Sequence, residues 1–136
     1  MRLRVRKAAH VFERIGLAMA GAACGMFVGA YVGAAHPALT TQAFLLSMMA
    51  LGVLGFYLGI DAPQLHFDPE DGAIDAAEFM SAVGTFLATL TAFVSVVVII
   101  LHEEPPLAWA FVVLIGWVAG VAMQIVAGAK ARARKR

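Results

Sequence analysis

The sequence predicts an all-α membrane protein whose four transmembrane helices form two antiparallel hairpins, with both termini cytoplasmic. Three observations carry this. The chain of 136 residues is 62% hydrophobic and only 14% charged, where a soluble domain carries about 25% charged residues. Its apolar residues gather in four uncharged stretches, 15–35, 38–60, 79–101 and 105–129. Each matches the roughly 20 residues a helix needs to cross a bilayer at about 1.5 Å per residue. All 10 Lys and Arg lie towards the two ends of the chain. Cationic flanks stay cytoplasmic, so the number of spans is even. A single integral-membrane domain, 1–136, in the inner (cytoplasmic) membrane follows.

Residues 2–14 place Val5, Ala8, Ala9, Phe12 and Ile15 on one helical face, with Arg4, Arg6, Lys7 and Arg14 elsewhere. This segment reads either as a short interfacial helix ahead of the membrane or as a plain topology signal. A cleaved signal peptide competes for the same end, since a basic stretch, an apolar stretch and GAAHPA mimic its parts. The basic region is long and interrupted by Glu13, and the apolar stretch exceeds a signal's usual length, so the first span is expected to stay. Cys24, the only cysteine, lies inside that span and excludes an intrachain disulfide.

The outer connections, HPALTTQ (36–42) and HEEPP (102–106), are short, and in both a proline ends one helix and starts the next. Helices joined so tightly are antiparallel neighbours. QAF at 42–44 and WAF at 109–111 hint at a duplicated hairpin. The middle connection, 61–77, carries Asp61, Asp68, Glu70, Asp71 and Asp75, with Glu78 just beyond. It is expected on the cytoplasmic side, facing the basic tails either as an electrostatic tie or as a solvated loop.

In hydrocarbon, helices associate through close contact and hydrogen bonds. Gly21, Gly25, Gly29 and Gly33 form a row at four-residue spacing, a flat groove for a facing helix. Span four continues the theme with Gly116, Gly120, Gln124 and Gly128, and span two with Gly52, Gly55 and Gly59. Span three offers Ser81, Gly84, Thr85, Ala88, Thr89, Ala92 and Ser95 on one side. These small-residue faces exceed what four helices need among themselves, leaving surface for another subunit. Gln124 is the one strongly polar side chain deep in a span. It needs a partner, either a span-three hydroxyl or a second Gln124, or else it lines a conduit.

EDGAIDAAEF (70–79) resembles the second half of an EF-hand calcium loop. The resemblance implies ligand places for Asp71, Asp75 and Glu78, with Gly72 at the turn. Phe67 and Pro69 stand where the first carboxylates belong, so the stretch reads as a helix start. Asp75 is then the N-cap and Glu78 its capping-box partner.

No Asp, Glu, Lys, Arg or His falls within 16–35, 38–60, 79–101 or 107–129, which argues against proton relays, ion-coupled carriers and voltage sensors. His36 and His102 sit at outer turns, and His10 and His66 on the inner side. Haem held in a bundle needs histidines inside the helices, and His66 with Asp68, Glu70 and Asp71 lacks a metal-ligand spacing. No cofactor, metal site or catalytic set is expected, and the chain does not read as an enzyme. Its expected partners are the lipid bilayer and either itself, as a homo-oligomer, or a larger membrane-protein complex, with no nucleic acid. The function expected is structural or accessory: scaffold, assembly or regulatory subunit. The alternative is a small homo-oligomeric channel or passive transporter lined by Ser81, Thr85 and Thr89.

Overall fold

Hydrocarbon offers a backbone no partner but itself, and the four apolar stretches answer as helices. A computed structural model describes residues 2–59 and 76–134, with side chains from residue 8 onward. Among these residues there is no strand. The helices are α1 (Arg2–Ala35), α2 (Gln42–Gly59), α3 (Ala76–Ile100) and α4 (Leu107–Arg134). All four are long and apolar enough to cross a membrane.

Their ends differ from the hydropathy boundaries for local reasons. α1 runs unbroken from Arg2, so residues 2–14 are not a separate interfacial helix. No proline interrupts the segment, and each glycine costs a helix only about 1 kcal/mol. α4 likewise continues to Arg134, with Arg132 and Arg134 in its last turn, where cations meet the negative end of the helix dipole. α2 begins later than residue 38 because Pro37–Leu39 forms a 3₁₀ turn. The Ala38 N–H donates to His36 Nδ1 at 3.3 Å. Thr41 then caps α2, accepting the Phe44 N–H at 3.3 Å.

α3 ends on His102, whose φ of 55° is left-handed. The His102 N–H donates to Ile99 O at 3.2 Å and the Glu103 N–H to Val98 O at 3.3 Å. These are the paired bonds of a Schellman motif, which usually carries glycine at this position. Pro106 opens α4, its carbonyl accepting from the Trp109 and Ala110 N–H groups at 2.9 and 3.1 Å. The acidic connection falls outside the described residues up to residue 75, and with it His66, the calcium-loop-like residues as far as Asp75, and the proposed Asp75 cap. α3 opens just beyond, with Glu78 in its first turn.

α1 packs chiefly on α2 and α3 chiefly on α4, forming two hairpins. Gly21, Gly25 and Gly29 meet Gly52, Met48 and Leu45 in that order, so α1 and α2 are antiparallel. Gly120 packs on Gly84 and Ala88, and Gly116 on Thr91, which makes α3 and α4 antiparallel too. The hairpins join with α2 beside α4 and α1 beside α3, while α2 and α3 scarcely meet. Gly55 lies on Val121 and Gln124, and Leu58 on Gly128, so α2 and α4 run parallel. The start of α1, the end of α4 and the ends flanking the acidic connection therefore gather at one end of the bundle. His36 and His102 mark the other.

The interior is built mostly from small residues, with Trp117 and Tyr31 its largest fully buried side chains. The bulk faces outward. Phe79, Phe86, Phe93 and Ile100 stand at seven-residue steps down α3, each more than half exposed. Small inside and large outside is the arrangement that lipid permits and water would punish.

Candidate functional site: glycine seams and a buried amide

The seam between α1 and α2 is a backbone contact. A Cβ built on Gly21 would overlap the Gly52 carbonyl, one on Gly52 would overlap that of Gly21, and one on Gly25 would overlap that of Met48. Further along, a Cβ on Gly29 would stand 3.0 Å from the Leu45 side chain, and one on Gly33 3.2 Å from the Leu39 carbonyl. The row that reads as a docking surface thus docks α2 of the same chain. Every one of its four glycines is buried.

Gly116 and Gly120 serve the α3–α4 seam. A Cβ on Gly120 would come within 2.8 Å of both Ala88 N and Gly84 O, and one on Gly116 within 3.1 Å of Thr91 Cγ2. Gly128 makes a third seam, between the hairpins, where a Cβ would overlap the Leu58 carbonyl. The small faces of the sequence are therefore largely consumed within one chain.

Gln124 sits where α2, α3 and α4 converge and is 1% exposed. Its Nε2 donates to Thr85 Oγ1 at 2.8 Å. The Thr85 hydroxyl donates in turn to the Ser81 carbonyl at 2.8 Å, and Ser81 Oγ donates to the Gly59 carbonyl at 3.2 Å. Because the Thr85 proton is committed to its own helix, the hydroxyl presents only lone pairs, and Gln124 must offer its NH₂ side. The amide oxygen then points at α2, 2.9 Å from where a Gly55 Cβ would stand. It has no hydrogen-bond partner. A buried acceptor left this way costs about 1–3 kcal/mol, partly offset by weak Cα–H contact.

Ser81, Thr85 and Thr89 do not share one open face. Ser81 and Thr85 are half-buried in helix contacts, whereas Thr89 is exposed and donates to the Thr85 and Phe86 carbonyls at 2.8 and 3.0 Å. Of the two partners the sequence offered Gln124, the structure uses the span-three hydroxyl.

Two further polar groups escape a sequence reading: the Tyr31 hydroxyl and the Trp117 indole, both fully buried and without a hydrogen-bond partner. Trp117 was there to be found. It shares a face with Gly120, Val121 and Gln124 at steps of three, four and seven residues.

The three described histidines serve local structure. His36 heads the 3₁₀ turn, His102 ends α3, and His10 accepts from Arg14 Nε at 3.2 Å on the exposed start of α1. Arg14 also lies over the Tyr57 ring, 5.2 Å from its centroid, a cation–π contact that joins α1 to the last turn of α2. Among the described residues, no three His, Cys, Asp or Glu side chains come together as a metal site would require.

The chain matches no protein-family model, no curated protein and no solved structure.

Proposed function

We propose that this multi-pass membrane protein is a structural or accessory subunit that works by packing against itself or a larger membrane complex. One observation carries the reading: the polar side chains that reach another helix, Gln124 and Ser81, are spent on holding the bundle together, and the other Ser and Thr hydroxyls of the spans bond to their own helix. Gln124, Thr85 and Ser81 form one hydrogen-bonded chain across three helices. The outer surface is left to large apolar side chains such as Phe86, Phe93 and Ile115. That surface suits lipid and other membrane helices and offers no chemistry to a soluble substrate. The same bonding argues against a pore lined by span three, because the hydroxyls a permeant would need are already engaged.

The cytoplasmic placement of both termini in the inner membrane belongs to this proposal. It is supported by the cations. Arg14, Lys130, Arg132 and Arg134 all lie at the end of the bundle where the chain begins and ends, a bias that holds such ends on the cytoplasmic side.

The test is the mass of the assembly in mild detergent or nanodiscs, set against the 14.4 kDa chain, together with a solute-flux assay in proteoliposomes. A defined larger assembly with no flux is expected. A strict monomer that binds no membrane partner sinks the proposal, and flux lost on Thr89→Val would favour the channel.

A further inference from the structure

Among the described residues three buried side-chain polar atoms have no protein partner, and two of them are the Tyr31 hydroxyl and the Trp117 indole N–H. Their residues are 1% and 0% exposed, so neither lipid nor a second copy of the chain can reach them. Buried polar groups are nearly always hydrogen-bonded, to protein or to ordered water. The free oxygen of Gln124 is a different case, because it is pressed against the α2 backbone at Gly55.

Helix register brings the two groups towards each other. Gly25 packs on Met48, while Gly55 and Leu58 pack on Gln124 and Gly128. Counting along these seams sets Trp117 level with Met48 and Gly25, and sets Tyr31 between one and two turns nearer the His36 end. A helical side chain leans over the turn preceding its own Cα. Since α1 and α4 run in opposite directions, Tyr31 leans towards the level of Trp117 and Trp117 towards that of Tyr31. The two helices touch across the bundle, and both residues belong to one packed cluster.

We infer that the bundle interior binds a water molecule bridging Trp117 Nε1 and the Tyr31 hydroxyl. The indole can only donate, so the bridging group must accept, while the hydroxyl can do either. Water meets both demands and is neutral. It ties α1 of one hairpin to α4 of the other.

The experiment uses the full chain in nanodiscs with ¹⁵N-labelled tryptophan. Only Trp109 and Trp117 give indole signals, and Trp109→Phe assigns them without touching the core. A cross-peak between the Trp117 indole proton and a long-lived water is expected, disappearing in Tyr31→Phe, which keeps the ring and its volume. The melting temperature of Tyr31→Phe should fall, because the water loses a holder. Absence of the cross-peak in the parent overturns the inference. So does a cross-peak that survives Tyr31→Phe, or a melting temperature that rises as it would on removing a dry, unpaired hydroxyl.

Discussion

Gly21 and Gly52 meet backbone to backbone, each occupying the place where the other's Cβ would have to go. The contact is reciprocal, so neither helix can absorb a side chain there by moving the other's rotamer. Its removal should be felt in the fold of a single chain and not only in an assembly.

Gly21→Ala should therefore lower stability by up to about 2 kcal/mol, an overpacking cost of about 1–3 kcal/mol set against a helix-propensity gain of about 1 kcal/mol. Gly16 provides the contrast, because nothing lies within 4 Å of its Cβ position. Gly16→Ala should raise stability by about 0.5–1 kcal/mol. Thermal denaturation of the two variants in one detergent checks both. Equal effects would mean that the seam is not a close contact.

The amide chain makes an asymmetric prediction. Thr85→Val strands the Gln124 NH₂ in an apolar site and should cost about 1–3 kcal/mol. Gln124→Leu removes the donor together with its unpartnered oxygen, and should cost little more than the ~0.6 kcal/mol typical of such membrane bonds. In the Thr85→Val background, Gln124→Leu should restore stability. A double-mutant cycle measured by thermal or denaturant unfolding reads this directly.

At the end of α3, His102 holds the left-handed position of the Schellman motif. His102→Gly should stabilise the protein by about 1 kcal/mol by relieving the Cβ clash, and a β-branched residue there should destabilise it. Melting temperatures of the Gly and Val variants give the comparison. If His102→Gly is destabilising, the imidazole makes a contact that outweighs the backbone strain.

Orientation is tested with single cysteines in a Cys24→Ala background. Cysteine at His36 or Glu103 should react with an impermeant maleimide from outside intact cells, whereas cysteine at Lys130 should react only after permeabilisation. The opposite pattern would invert the topology.

The spans and hairpins were legible in the sequence because hydrocarbon thickness and loop length are strong constraints. The ends of α1 and α4 were not. Hydropathy reports where a residue prefers to sit, while a helix such as α1 persists through Arg14 and back to Arg2 for as long as nothing breaks its backbone. The glycine rows announced close contact but carry no label for the facing helix, so α2 lying beside α4 could not be read from Gly55 or Gly128. The need of Gln124 for a hydroxyl was visible, and its choice of Thr85 depended on register. Tyr31 and Trp117 were missed because large aromatic side chains in lipid usually face outward, as Phe79 and Phe86 do.

α1 is 34 residues long and α4 28. At about 1.5 Å per residue these are rods of about 51 and 42 Å, against about 30 Å for the hydrocarbon core of a bilayer. Arg14 is held against the bundle over the Tyr57 ring, while the helix before it runs back to Arg2. Both helices therefore tilt, or carry residues 2–13 and 130–134 beyond the apolar layer. Helical ends that outrun the apolar layer at the same end of the bundle form a stiff cationic stalk in place of two loose tails.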